Sequence, residues 1–234
     1  MGLNCHECPV RHRAACSVLS DEERESLAKS GRGRKLKRGE TLFAAGDDGA
    51  KCATLISGAM KVAATDSEGT ERILALIHPA GFVGELFTPF AHHDVVALTP
   101  SRLCVFGRRD FSAALHRHPK LAEALLRRAS EDLYESRELI QLMGRRSAES
   151  KVAGLLLAFS RAASESPCHA ERRFVLPLTR GEMAGLLGVT IETVSRQLGA
   201  LERDGVIRRH GARGIELVDP ARLEALAEAQ VSAA

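Results

Sequence analysis

The chain has 234 residues, 44% hydrophobic and 27% charged, the make-up of a soluble globular protein with room for one large or two modest cores. No apolar run approaches about 18 residues, which excludes a membrane-spanning helix. The net charge of +3 decides little: from Arg145 onward 13 Lys and Arg face 11 Asp and Glu, so any surface for a nucleic acid would have to come from the placement of charges rather than their sum.

The opening residues, Met1 to His6, lack a basic stretch followed by an apolar one, so no secretory signal is expected and the cytoplasm is the expected compartment. Thiols stay reduced there. Of six cysteines, Cys5, Cys8 and Cys16 fall within residues 1–20, a Cys- and His-rich segment too short and polar to build a core alone. Such clustering points to metal or redox chemistry rather than a disulfide framework. By spacing alone, a zinc site of Cys5, Cys8 and Cys16 with His6 or His12 competes with an iron–sulfur site.

Ser20 followed by Glu23 reads as a capping box opening a short helix over 21–30. From 31 to 112 the pattern changes to short β-prone runs: Thr41–Phe43, Ala53–Ile56, Met60–Val62, Ile73–Ile77, Val95–Leu98 and Leu103–Phe106. Turn signals such as Gly46-Asp47-Asp48-Gly49 and Ser57-Gly58 separate them. Many short strands at regular spacing predict a small antiparallel barrel or roll. Cys52 reads as a buried strand residue and Cys168 as a loop thiol.

A helix is expected over 119–144, with Pro119 in its first turn and no other Pro or Gly before Gly144. Leu126, Leu133 and Ile140 recur every seven residues, and Ala129, Ser136 and Met143 fall three later in each heptad. This reads as an a/d dimer seam; packing of the helix on its own domain is the alternative. The small or polar d positions make the seam marginal, as a switchable dimer requires.

Residues 164–167 read as a loop, and Leu178 to Ile207 as a helix pair. Thr179 caps the first helix with Glu182 as its box partner, and Gly188 breaks it where positive φ is wanted. Thr190 caps the second, Val194, Leu198 and Leu201 form its buried face, and Gly205 ends it. This is helix–turn–helix spacing. With the second helix in a major groove, Glu192, Thr193, Ser195 and Arg196 face outward near its start. Arg donates in pairs to guanine and Glu accepts from cytosine. Thr179, Arg180 and Thr190 are placed to hold phosphates. Residues 206–218 alternate as a hairpin whose Arg208, Arg209, His210 and Arg213 make a basic wing suited to the DNA backbone.

Nearly the whole chain resembles the CRP/FNR superfamily of bacterial regulators. Gly39 to Asp48 with Leu55 to Val62 is similar to the start of that family's roll, Gly144 to Val152 to its hinge, and Glu192-Thr-Val-Ser-Arg196 to the E-x-x-S-R recognition signature of the FNR branch. The resemblance implies an α+β fold: an N-terminal cyclic-nucleotide-binding-like β-roll, a long dimerisation helix and a C-terminal winged helix-turn-helix. Expected boundaries are 1–20 for the Cys-rich segment, 21–116 for the roll, 117–146 for the dimerisation helix and 147–234 for the DNA-binding domain.

Further expectations follow from the resemblance. The signature implies a palindrome close to TTGAT-N4-ATCAA, read by a homodimer through Glu192, Ser195 and Arg196. The Cys-x2-Cys-x7-Cys spacing resembles the alphaproteobacterial FNR subgroup, and Cys104 aligns with the distant fourth ligand of oxygen-sensing members. A [4Fe–4S] cluster on Cys5, Cys8, Cys16 and Cys104 is therefore expected, with oxygen as the signal; haem, nitric oxide or redox sensing is the alternative. No cyclic nucleotide is expected: Gly84-Glu85-Leu86 is present, but His93-Asp94 stand where Arg-Ser would hold a phosphate, and Asp94 repels one. RNA polymerase is the implied protein partner, through the loop around Phe82–Phe90 and surface near Arg117–Lys120. A redox or metal-handling enzyme is the competing class. No nucleophile–base pair, phosphate loop or second metal motif supports it, so no catalytic residue is assigned.

Overall fold

The computed structural model describes residues 3–49, 51–164 and 171–229. The chain forms two compact units, Met1–Ser136 and Arg137–Ala234. In the first, a 3₁₀ turn Ala15–Val18 leads to helix α1 (Asp21–Ser30). Its capping box forms as read: Glu23 N–H donates to Ser20 Oγ at 3.2 Å, and the Glu23 carboxylate accepts Ser20 N–H at 2.8 Å. Eight strands follow: β1 (Gly31–Leu36), β2 (Thr41–Phe43), β3 (Lys51–Ser57), β4 (Met60–Thr65), β5 (Glu71–Ile77), β6 (Phe82–Val83), β7 (Asp94–Ala97) and β8 (Ser101–Gly107). Helix α2 (Arg108–Arg117) and the long α3 (Pro119–Met143) come after them, α3 continuing past Ser136 into the second unit's residues.

The strands make two antiparallel four-stranded sheets, ordered β1-β8-β3-β6 and β2-β7-β4-β5. Side chains alternate across a strand. On β3 and β8, Ala53, Leu55 and Leu103 therefore enter the roll's core with Met60 and Val95. Cys52, Cys104 and Phe106 face the other way, into a second core shared with Leu27, Phe111 and Leu121. That outer core is where the Cys-rich segment docks.

Two strands of the roll, β1 and β6, fall outside the β-prone runs of the sequence. Strand β1 reads Gly-Arg-Gly-Arg-Lys-Leu, and only its ends are buried. It exists because it pairs with β8 from Gly31 opposite Phe106 to Leu36 opposite Ser101. Its charges suit an edge strand, where they discourage pairing with another chain. Strand β6 is two residues long. The turn before it holds Ala80 at φ +77°, a left-handed conformation that L side chains rarely adopt. Ala80 N–H donates to Leu55 O at 2.8 Å, and its methyl is buried against Val10 and Ala14. Residues 1–20 thus gain a core by sharing one with this turn.

Along α3, Leu121 and Leu142 are buried, while Leu126, Leu133 and Ile140 are 69%, 52% and 64% exposed. Ala129 and Met143 are exposed too; Ser136 is half-buried and donates to Asp132 O at 2.9 Å.

The second unit contains α4 (Ala148–Ala163), β9 (Arg173–Val175), α5 (Arg180–Leu187), α6 (Ile191–Arg203), β10 (Ile207–His210), β11 (Gly214–Leu217) and α7 (Pro220–Glu228). The three strands form one antiparallel sheet ordered β10-β11-β9. Leu155, Leu156, Met183, Leu186, Leu187 and Leu201 are its largest buried side chains from α4, α5 and α6. Inside α4, a Cβ on Gly154 would lie 2.3 Å from Arg145 Nη1, which donates to Ser150 O at 3.0 Å and would have to shift. The loop expected from 164 and its Cys168 extend outside the described residues.

Candidate functional site

Cys5, Cys8, Cys16 and Cys104 line one cavity of about 40 Å³. Its other walls are mostly apolar, including Leu27, Ile56, Phe106 and Leu121, so the first turn of α3 borders the thiols directly. Cys104 reaches the cavity because β8 presents it on the outer face, opposite Gly33 of β1 and Thr54 of β3. The N-terminal residues reach it through polar ties to α1. His6 Nε2 lies 2.7 Å from Glu25, and Arg11 Nη2 lies 3.0 Å from Asp21. Cys52, one pleat away from Thr54 on β3, is fully buried and does not line the cavity.

Burial pushes the Cys16 thiol up to about 11 and the Cys104 thiol up to about 12, and it raises Cys5 as well. Each is also raised by its neighbouring cysteines, a sign that these sulfurs share one environment. Such thiols are poor nucleophiles near neutral pH, and a metal must displace their protons to bind. Soft thiolates without carboxylates suit zinc or an iron–sulfur cluster. Among the described residues no three His, Cys, Asp or Glu side chains converge closely enough to hold a single ion. Cys5, Cys8, Cys16 and Cys104 share the lining of one cavity instead. Neither His6 nor His12 lines it, so the zinc set with a histidine is not assembled.

In the second unit, α5 and α6 form the helix–turn–helix. Thr179 and Glu182 make the reciprocal box at 2.6 and 3.1 Å. Gly188 takes φ +63°, the left-handed turn between the helices. Thr190 Oγ1 accepts Thr193 N–H at 3.2 Å, which starts α6. Val194, Leu198 and Leu201 are buried, which leaves Glu192 and Arg196 exposed and Thr193 and Ser195 half-exposed. Glu192 sits below the usual carboxylate range because its own backbone N–H and Thr190 bond to the carboxylate. Arg180 Nη1 donates to Ser195 Oγ at 3.3 Å, joining a phosphate candidate to a base-reading one. Arg196 has no hydrogen-bond or ion-pair partner among the described residues.

The wing is less basic than its arginines imply. Glu216 on β11 accepts from Arg173 at 2.9 Å, Arg208 at 3.4 Å and His210 Nε2 at 2.8 Å. Those partners hold its carboxyl down to about 2. Glu202 of α6 binds Arg209 Nε at 2.7 Å. Arg213, at the hairpin tip, has no side-chain partner among the described residues. A second cavity, about 310 Å³, is lined by Thr179, Arg180, Leu198 and Arg213. It places cationic groups from α5 and the wing around one recess.

Two family models match: residues 33–118 the cyclic nucleotide-binding domain, and residues 150–226 the Crp-like helix-turn-helix domain. The chain is 36% identical to the transcriptional activator protein FnrL of Cereibacter sphaeroides over 94% of its own length and 90% of that protein's. It is 34% identical to the nitrogen fixation regulation protein FixK of Bradyrhizobium diazoefficiens, covering 97% and 95%. The chain belongs to the CRP/FNR family. Its fold is shared with FixK2 from Bradyrhizobium japonicum, at a TM-score of 0.76 and 24% identity, covering 85% of this chain and 98% of that one.

Membership in CRP/FNR makes the chain a transcriptional regulator of a DNA-binding family rather than an enzyme. The expected α+β order of roll, long helix and helix–turn–helix is the observed one. No helix among the described residues is long and apolar enough to cross a membrane. Sequence reading missed Arg11 and Arg24 beside the thiols and Glu202 and Glu216 beneath the wing. The wing carboxylates had one available signal: Glu216 falls opposite Arg208 in an alternating hairpin.

Proposed function

We propose that this regulator binds a palindromic site close to TTGAT-N4-ATCAA as a homodimer while Cys5, Cys8, Cys16 and Cys104 hold a [4Fe–4S] cluster, and that oxygen ends this state. The observation that carries the reading is one cavity bringing together thiols from residues 5 and 104, with Leu121 of α3 in its wall. When bound, the cluster supplies an oxygen-labile link among the four thiolates. The residues around it do the rest. Val10 and Ala14, packed on Ala80, and the ties of His6 and Arg11 to α1 keep the segment seated beside α3. Loss of the thiolate link leaves only these weak ties, and the wall around Leu121 loosens. The stripe of Leu126, Ala129, Leu133, Ser136, Ile140 and Met143, exposed except at half-buried Ser136, is the proposed seam. Apolar side chains this exposed on one helix face are typical of a contact surface.

Two α6 helices in successive major grooves would read bases with Glu192, Thr193, Ser195 and Arg196. Thr179, Arg180, Thr190, Arg208 and Arg213 would engage phosphates. RNA polymerase is the proposed second partner, at the loop bearing Phe87, 90% exposed. Cyclic nucleotide is not the proposed signal: His93 and Asp94 align where the resemblance implies an Arg-Ser pair for a phosphate, and the Asp94 carboxylate, which accepts Ala45 N–H at 2.8 Å, would repel one.

Anaerobic reconstitution of the full chain, with Cys104→Ala as control, tests the reading. The expected result is about four iron per chain in the wild type only, and palindrome binding that is lost on exposure to air. A metal-free protein that binds the palindrome equally in air would overturn it.

A further inference from the structure

The cysteine cavity contains two charged side chains whose purpose the protein alone does not explain. Three buried side-chain polar atoms among the described residues lack a hydrogen-bond partner: the Nε atoms of Arg11, Arg24 and Arg128. Arg128 Nε at least lies 3.2 Å from the Asp132 carboxylate. The other two belong to the only charged residues lining the cavity.

Both guanidinium groups are anchored by their terminal nitrogens. Arg11 donates to His6 O at 3.1 Å and to Asp21 at 3.0 Å. Arg24, whose side chain is 11% exposed, donates to Leu19 O at 2.7 Å and sits 3.2 Å from the same Asp21. Asp21 thus fixes two cations at one wall and leaves both Nε edges unmatched. A buried donor without a partner is disfavoured, and a guanidinium cannot shed its proton to escape. Both residues line the cavity, and an occupant carrying acceptor atoms would give such donors a partner.

We infer that Arg11 and Arg24 are the polar partners this cavity offers to a cluster on its four thiolates, donating Nε–H bonds to sulfur and offsetting its negative charge. The inference rests on the iron–sulfur reading above. Net charge and hydrogen bonds to the sulfurs set the reduction potential of such groups. Cations and donors favour the more negative, reduced state, so this pair holds the potential up.

The test uses the full chain reconstituted anaerobically with ferrous iron and sulfide. Iron and sulfide per chain are counted, and the midpoint potential is measured with mediator dyes as dithionite delivers one electron. Arg11→Met and Arg24→Met keep bulk and lose charge and donors; the Lys variants keep charge and lose the Nε edge. The expected result is unchanged iron and sulfide with a midpoint lowered by about 59 mV in each Met variant, a tenfold shift of a one-electron equilibrium. The Lys variants fall between. Should a Met variant not load, the Lys variants carry the test, with a smaller shift in the same direction. Equal potentials in all loaded proteins would overturn this inference and leave the iron–sulfur reading standing. A wild type that takes up neither iron nor sulfide overturns both.

Discussion

The cysteine cavity and the DNA-reading surface draw their parts from very different spans of chain. Thr179 to Arg213 contains all of the proposed DNA contacts, and the helices that aim them are set by adjacent caps at Thr179 and Thr190. The cavity needs residues 5–16, β8 and α3 at once, and nothing local enforces that meeting. A reading surface made of short-range structure can form wherever its own core folds. A sensor made of long-range contacts can be undone by removing one of them, which is what a switch requires.

The largest expected effect tests that dependence. Cys104→Ala replaces a partly buried thiol with a methyl, so the metal-free unfolding midpoint should barely move. Cluster retention should fall by more than the roughly 100-fold that loss of an outer-shell partner produces. DNA binding by the second unit's local machinery should persist only at the non-specific level. Full cluster content in Cys104→Ala, measured as iron and sulfide per chain, would break the comparison.

Next is the turn that joins the Cys-rich segment to α3. His78 is half-buried beside Arg128, and desolvation followed by that charge lowers it from about 6.5 to about 4. It is neutral in the folded protein, whereas the unfolded chain binds a proton below about 6.5. The unfolded state binds more protons between those values, so stability is intact above the upper one and is lost as pH falls toward the lower. The expected loss is about 3 kcal/mol. Asp132 and Glu135, whose carboxyls burial raises, act in the opposite sense. His78→Gln should therefore flatten the fall in urea stability between pH 7 and pH 4.5. An unchanged slope would show that this turn is not where the acid sensitivity lies.

What the sequence made legible follows the same division. The boxes at Ser20 and Thr179, the turn at Gly188 and the buried face of α6 depend on residues three or four apart, and local chemistry displays them. Strand β1 was invisible because its Arg-Gly-Arg-Lys run becomes a strand only by pairing with residues 101–106. Helix α2 escaped notice behind the last strand. Arg11 and Arg24 look like ordinary surface arginines until Asp21 draws both to one cavity.

On the reading surface, Arg196→Ala should cost about 1–3 kcal/mol in binding the palindrome and relax selectivity at its guanine. Titrations against matched and single-substituted duplexes separate this from a uniform loss. Uniform weakening would make Arg196 a phosphate contact instead.

The smallest effect concerns the wing, where counting basic residues misleads. Arg208 and Arg213 look equivalent in sequence, yet Glu216 already compensates Arg208 and, among the described residues, nothing compensates Arg213. Each phosphate neutralised contributes about 0.9 to the slope of log K against log salt. Arg213→Ala should lower that slope by about 1, with no change in sequence preference. Arg208→Ala should lower it by clearly less, because the cation it removes is partly spent on a carboxylate. Held down to about 2 by His210 first and then by Arg173, Glu216 stays ionised across the whole working range, so the difference should persist from pH 6 to pH 8. Glu216→Gln should erase it by releasing Arg208 for DNA. Equal slopes for the two arginine variants would mean that DNA pulls Arg208 off Glu216, and that the wing's charge is set by its partner rather than by the fold.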